Sequence, residues 1–367
     1  MLIEKYRIRF EKHFLLRFFA FLLDTFGLPL KFYLPKAINR FPKKILIIRK
    51  DDLGDLVLSI PMYEAIKEKF PSIKITVMCS KIPSEILKKN PHVDEIRVVN
   101  KNLKILDILQ IIRWIRGERF DIGIDPKGSL INVILMYFGK IHKTISYWNV
   151  SGGKFLLTDP VFYKKQIHES GANLKLLRPM GVKAKNHLPK VYLSKKEKKD
   201  VKSLIEKLKL KKFVAVYATP TSLSKRWPEK NLKEVLTSLP DTSFLFVAQN
   251  KDKDGIEKII INFKNCKTMY DLNLRKLSYL FSFADKILSV DGGPMHLAWI
   301  ANKNAIALFG QNDIDLWRPL NNGVVLSHFP KSMQGPNKKP LKLNVVNNYM
   351  KAISSKEVIQ ELEKKSR

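Results

Sequence analysis

The sequence predicts an α/β protein built from two doubly wound parallel-sheet domains. Three observations lead there. Short β-rich apolar runs recur between stretches of helical periodicity, two such series are separated by a Gly- and Pro-rich stretch, and 367 residues accommodate two domains of ordinary size. Continuous apolar strands alternating with helices mark a sheet covered on both faces. At 45% hydrophobic and 28% charged, the composition excludes disordered, collagen-like and polytopic membrane classes. Cys79 and Cys266 match no C-x-x-C spacing, which argues against structural zinc and a disulfide framework and for a reducing compartment.

The amino-terminal segment, residues 1–43, differs in character from the rest of the chain. Residues 1–44 hold ten basic residues against three acidic ones, and the apolar run Phe14–Leu23 is interrupted by Arg17 and closed by Asp24, Gly27 and Pro29. That run is too short for a spanning helix. Acidic residues before it and the lack of a small-x-small cleavage site argue against a secretory signal. Phe and Leu beside Lys and Arg suit a segment lying in the headgroup layer of an anionic leaflet; the alternative is a helix packed on the protein's own surface.

The first domain is expected over residues 44–190. Lys44–Arg49 reads as a buried strand, Leu56–Phe70 as a helix stopped by Pro71, Ile73–Cys79, Glu95–Val99 and Asp121–Ile124 as further strands, and Leu103–Arg116 as a helix. Residues 151–200, with Gly152, Gly153, Pro160, Gly171, Pro179, Gly181 and Pro189, read as the connection between domains. The second domain, residues 191–345, takes its strands from Phe213–Tyr217, Ser243–Ala248, Lys286–Val290 and Ala305–Phe309, and residues 346–367 form a terminal helix. Two such domains facing each other would place ligands in a cleft at the carboxyl ends of both sheets.

Three loops carry chemistry. The first is Arg49-Lys-Asp-Asp-Leu-Gly-Asp55, where Gly54 offers backbone freedom and Asp55 stands at a helix start; simple helix capping is the alternative role for Asp55. Neither G-x-G-x-x-G nor G-x-x-x-x-G-K-[ST] occurs, so a dinucleotide oxidoreductase and a P-loop nucleotidase lose their defining signature. The second loop, Tyr217–Pro228, offers the hydroxyls of Thr219, Thr221 and Ser222 and the cations Lys225 and Arg226, groups suited to phosphate oxygens. An ordinary solvated loop is the alternative there, with Trp227-Pro228 opening the next helix. In the third, Asp291-Gly-Gly-Pro-Met-His296, Gly292 and Gly293 expose backbone N–H groups at a positive helix end, a natural seat for a pyrophosphate. His296 lies in the first turn, where a satisfied core histidine is the other reading.

Taken together and in this order, the three loops resemble the family 9 glycosyltransferases, the ADP-heptose:lipopolysaccharide heptosyltransferases. The likeness runs over Ile45–Pro61, Lys225-Arg-Trp-Pro228, and Asp291–His296 with Ala307-Leu-Phe-Gly310, within roughly residues 44–320. It implies a GT-B architecture of two Rossmann-like domains, with the acceptor on the first and the nucleotide sugar on the second. It further implies that Asp55 is the general base, that Lys225 holds the donor phosphates, and that Asp291, Gly292, Gly293, Met295 and His296 lie beside the donor. Phe309-Gly-Gln-Asn312 departs from the family's Phe-Gly-Pro-Thr, so Asn312 replaces a phosphate-contacting threonine. Val247-Ala-Gln-Asn250 lacks the acidic residue that commonly meets the ribose, leaving Gln249 or a nearby Asp. The acceptor motif survives as Asp125-Pro-Lys-Gly128, which adds Asp125, Lys127 and Gly128 to Arg49 and Gly54 on the acceptor side.

The implied reaction is inverting transfer of a heptose-like sugar to a lipopolysaccharide core, by a monomer peripheral on the cytoplasmic face of the bacterial inner membrane. The scheme needs neither cofactor nor metal, because lysine and helix amides supply the positive charge. A net charge of +33 suits a phosphorylated, membrane-anchored acceptor. It also raises a nucleic-acid-binding reading, for which no recognisable reading motif is present, so no nucleic-acid partner is expected. The altered Gln311-Asn312 keeps open a sugar-nucleotide-binding protein without catalysis.

Overall fold

The computed structural model describes residues 14–36, 40–163, 167–184, 188–220, 222–301, 304–320, 323–330 and 349–364. The chain divides into two compact units, the first reaching Pro189 and the second beginning at Lys190.

In the first unit six strands form one parallel sheet. They are β1 (Lys44–Arg49), β2 (Lys74–Cys79), β3 (Glu95–Val98), β4 (Ile122–Asp125), β5 (Lys143–Tyr147) and β6 (Asp159–Val161), in the order β3-β2-β1-β4-β5-β6. The central strand β1 is buried from Ile45 to Arg49, which is why its sequence is an unbroken apolar run. The helices are α1 (Phe14–Phe26), α2 (Leu53–Val57), α3 (Ile60–Lys69), α4 (Lys81–Leu87), α5 (Ile105–Glu118), α6 (Leu130–Phe138), α7 (Trp148–Ser151) and α8 (Glu169–Lys175). Ile111 and Ile115 of α5 and Val133 and Met136 of α6 meet Leu46 and Ile48 in one core.

The single helix expected over Leu56–Phe70 is two helices. Pro61 falls in the first turn of α3, where its missing N–H costs nothing, and Ser59 precedes α3 with its hydroxyl bonded to the Leu56 carbonyl at 2.7 Å. The expected interdomain connection is in large part packed structure of the first unit, since β6 and α8 lie within it. Only some of its Gly and Pro residues mark turns: Gly152, Gly153 and Gly181 have positive φ, and a Cβ on Gly152 would sit 2.9 Å from Ala20 of α1, whereas Pro160 lies in β6 and Gly171 in α8.

That contact bears on the two alternatives for the amino-terminal segment and matches the helix packed on the protein's own surface. Ala20 is buried, Asp24 Oδ1 accepts from the backbone N–H of Gly153 and Lys154 at 2.8 Å each, and Leu23, Leu30 and Leu34 pack on the core of the first unit. One side of the segment is therefore docked on protein, while Phe26, Leu28, Phe32 and Tyr33 remain exposed. Residues 1–13 and 37–39 of the expected segment lie outside the described residues.

The second unit repeats the arrangement. Its strands are β7 (Val214–Tyr217), β8 (Phe244–Ala248), β9 (Cys266–Tyr270), β10 (Lys286–Val290), β11 (Ala305–Leu308) and β12 (Val324–Leu326), parallel in the order β12-β11-β10-β7-β8-β9. The helices are α9 (Lys195–Lys207), α10 (Glu229–Ser238), α11 (Lys253–Ile260), α12 (Leu274–Phe281), α13 (Gly293–Ala301), α14 (Ile314–Trp317) and α15 (Ser355–Glu363). Met350, Ile353 and Val358 close the core around Trp227, and the Trp227 indole donates to the Ile353 carbonyl at 2.9 Å. Residues 346–348 and 365–367 of the expected terminal helix lie outside the described residues.

Candidate active site

Both sheets have the same strand order when read from their first strand, so each has a switch point where the order reverses, between β1 and β4 in one and between β7 and β10 in the other. The loops leaving those strands at their carboxyl ends are where doubly wound sheets bind ligands. They are the loops that the sequence singles out: Lys50–Asp55 and Pro126–Gly128 in the first unit, Ala218–Pro228 and Asp291–Gly292 in the second.

In the first unit the centre is Arg49. It is fully buried at the end of β1, and its guanidinium faces three carboxylates: Glu169 Oε1 at 3.0 Å, Asp51 Oδ2 at 3.5 Å and Asp55 Oδ1 at 3.6 Å. Its Nε also donates to the Asp55 carbonyl at 3.1 Å, so one side chain holds both ends of the proposed base. Burial by itself works against the charged form, but the three carboxylates outweigh it and Arg49 holds its proton more tightly than usual. Asp55 is not the cap of α2. Asp52 occupies that position, exposed and paired with Lys101 at 2.5 Å, while Asp55 sits in the first turn with its side chain 14% exposed. The capping role is thereby excluded, and a carboxylate is left reachable from solvent. Gly54 corrects a second expectation, because it is buried inside α2 without a positive φ and so does not supply an unusual backbone angle.

Lys127 joins this cluster through Asp51 Oδ1 at 2.6 Å. Asp125 does not face a ligand. Its two oxygens accept from Lys127 N, Ser129 N, Asn132 Nδ2 and Ser146 Oγ, at 2.7 to 3.1 Å, so it builds the loop that presents Lys127. Burial raises the pKa of this carboxyl and the hydrogen bonds from Asn132 and Ser146 oppose the rise. Gly128 has φ +67°, and a Cβ there would lie 2.6 Å from the Tyr147 carbonyl, so this turn requires glycine.

In the second unit Lys225, Asp291 and Asn312 come together. Lys225 Nζ is 2.9 Å from Asp291 Oδ2, and Asn312 Nδ2 donates to the same oxygen at 2.5 Å. Asn312 thus has a place in the network, as a donor that orients Asp291. Trp227, buried two residues along, anchors the loop and fixes where Lys225 stands. Asp291 lies between β10 and α13, and an added Cβ at Gly292 would meet only Pro294 Cδ at 3.9 Å, so the backbone before α13 faces open space. An anion can approach the helix end there.

Other donor-side expectations fare differently. Met295 is fully buried in a cluster with Ala307 and Phe309, so it packs rather than binds, because the first turn of α13 faces it into the core. His296 is buried between the rings of Trp299 and Trp317, at 6.1 and 6.2 Å. Ser222 pairs with Ser224 at 2.7 Å, and Thr219 lies on the same loop beyond β7. Thr221 lies outside the described residues. Gln249 is exposed at the end of β8, and the next residue, Asn250, is held by Asp271, an acidic residue the sequence did not point to.

Glu169 was also missed. It lies 120 residues from Arg49 in a stretch that reads as a linker, and only a buried arginine demanding a counter-charge pointed to such a partner.

Two parallel six-stranded sheets, each with loops at the carboxyl side of its switch point, fit the GT-B type of fold, and the family is shown by the sequence relatives. The model of glycosyltransferase family 9 (heptosyltransferase) matches residues 108–344. Lipopolysaccharide heptosyltransferase 3 of Escherichia coli K12 is 22% identical over 335 residues, covering 85% of this chain and 94% of that protein. Among solved structures, a family 9 glycosyl transferase from Veillonella parvula superposes with a TM-score of 0.73 at 19% identity, covering 89% of this chain and 98% of its own. E. coli ADP-heptose LPS heptosyltransferase II gives 0.70 at 20% identity, covering 87% and 97%. The chain belongs to glycosyltransferase family 9, and it is an enzyme of glycosyl transfer.

Proposed function

We propose that the chain transfers a heptose from ADP-heptose to the lipopolysaccharide core with inversion at the anomeric carbon, as a peripheral protein on the inner face of a bacterial inner membrane. The observation that carries this reading is the placement of Asp55 and Lys225 at the switch points of their sheets, each fixed by a buried neighbour. The donor and acceptor are supported by relatives whose names state them. The position on the membrane is supported by the net charge of +33 and by exposed aromatic residues of the amino-terminal segment. No helix among the described residues is long and apolar enough to cross a membrane.

In this reading Asp55 takes the proton from the acceptor hydroxyl as that oxygen attacks the anomeric carbon, and the bond to the diphosphate breaks. Arg49 fixes the Asp55 carboxylate, and Lys127 offers a cation to a phosphorylated acceptor. Lys225 and the amides at the start of α13 stabilise the departing diphosphate. Asp291 would repel that diphosphate if it bound it directly; its contact with Lys225 makes it the group that aims the lysine.

Thermal unfolding against a panel of nucleoside diphosphates tests the donor. ADP at 100 times its dissociation constant is expected to add about 2.7 kcal/mol of stability, with uridine and guanosine diphosphates adding less at equal concentration. Lys225→Ala is expected to weaken ADP binding roughly 10- to 100-fold by calorimetry, the worth of a hydrogen bond to a charged group. Unchanged affinity removes Lys225 from the phosphate site, and a larger shift with uridine diphosphate overturns the donor.

A further inference from the structure

At the other end of the first sheet lies a feature that glycosyl transfer does not use. A cavity of about 500 Å³ is lined by Arg40, Arg116, Arg119, Lys140 and His142, with Tyr33 of the amino-terminal segment on its wall. Arg40 precedes β1, Arg116 and Arg119 precede β4, and Lys140 and His142 precede β5, so all stand at the amino ends of the strands. Among the described residues, no carboxylate lines the cavity. The two nearest in sequence are engaged elsewhere or shared: Glu118 pairs with Lys44 at 2.9 Å, and Asp121 is held by Arg40 at 2.6 Å and by the backbone N–H groups of Lys43 and Lys44.

The amino-terminal segment is tied to this place. Lys140 Nζ donates to the Tyr33 carbonyl at 3.1 Å, His142 Nδ1 lies 3.1 Å from the Lys36 carbonyl, and Tyr137 donates to the Leu30 carbonyl at 3.0 Å. Arg116 uses its Nε on the Phe138 carbonyl at 2.7 Å, which leaves the terminal nitrogens of its guanidinium for a ligand. Arg119 ends α5 in a left-handed conformation with its side chain exposed. The carboxyl ends of α5 and α6 attract cations on their own account. That attraction does not explain the aromatic residues around them. Phe32 is 89% exposed and adjoins Tyr33, Phe41 is 86% exposed and adjoins Arg40, and exposed Phe138 adjoins Gly139 of the wall. A soluble anion has no use for these rings, and single exposed apolar residues are ordinary, but several around one basic cavity mark an interaction surface.

We infer that this cavity is a binding site for the phosphate of an anionic phospholipid headgroup, with Phe32, Phe41 and Phe138 entering the surrounding headgroup layer. Cations that cradle a phosphate and aromatic rings that sit at the water–hydrocarbon boundary are the two components such a surface needs. The inference rests on the peripheral-membrane reading and names the surface responsible. The six residues of β1 separate the cavity from Asp55 by about 20 Å, so lesions in it leave the chemistry intact.

Sedimentation of the full chain with phosphatidylcholine vesicles, with and without phosphatidylglycerol, tests the site. The wild type is expected to bind the phosphatidylglycerol vesicles and to bind pure phosphatidylcholine weakly. Arg116→Glu with Arg119→Glu is expected to lose roughly tenfold or more of that binding while retaining turnover of a water-soluble acceptor; Arg116→Lys with Arg119→Lys keeps it. Phe32→Ser with Phe41→Ser, which touches no described side-chain hydrogen bond, is expected to lose binding as well and decides the matter if the charge reversals unfold. Wild-type binding that both variants retain overturns the cavity and leaves the membrane reading standing. A wild type that binds no vesicles overturns both. Inorganic phosphate or duplex RNA that binds the wild type as tightly as the vesicles do, unaffected by the Phe substitutions, overturns the lipid as occupant.

Discussion

Asp55→Asn is expected to lower turnover by roughly 100-fold or more while leaving donor affinity nearly unchanged, measured by steady-state kinetics and by calorimetry with ADP. The substitution is close to isosteric, and the new amide would still meet Arg49, whose Nε bonds the backbone carbonyl at this position rather than the side chain. What is removed is the capacity to accept a proton. A comparable loss in kcat and kcat/KM places the effect in the transition state; near-normal turnover takes Asp55 out of the base role.

Arg49→Ala is expected to cost about 3–5 kcal/mol of unfolding free energy, read from urea denaturation, and to abolish transfer along with it. The guanidinium is fully buried and is the shared partner of Asp51, Asp55 and Glu169, so its removal leaves Glu169, its side chain only 3% exposed, without its counter-charge. Lys127 pairs with Asp51 Oδ1 at 2.6 Å, and Glu169, the most deeply buried of the three carboxylates, takes its ion pair from Arg49. Arg49→Lys should recover part of the stability, because the charge returns, but little activity, because an ammonium cannot reach several carboxylates in the way a planar fork does. A stable Arg49→Ala protein would mean that the cluster is solvated, contrary to its burial.

Strands β1, β2, β7, β8, β10 and β11 were legible because each is a buried run whose sequence is nearly all apolar. Strands β6, β9 and β12 were not, since they lie at sheet edges, half-buried, where mixed polarity carries no clear period. Interior β5 was missed for a different reason: Thr144 and Ser146 are buried polar residues, satisfied by Thr158 and Asp125, and partners 14 and 21 residues away cannot be read from a local pattern. The same limit hid Glu169. The loops bearing Asp55, Lys225 and Asp291 were legible as an ordered trio, but their roles within each loop were not. Only the folded chain separates Asp125, which builds a turn, and Met295, which fills a core, from residues that face solvent at the strand ends.

Heptose transfer itself can be observed by combining the purified protein with ADP-heptose and a lipopolysaccharide core acceptor lacking its terminal heptose, then analysing the acceptor by mass and anomeric configuration. The acceptor is expected to gain one heptose with inverted configuration while ADP is released in equal amount. ADP-heptose left intact beside the acceptor, or hydrolysed while the acceptor stays unchanged, would refute the proposed activity.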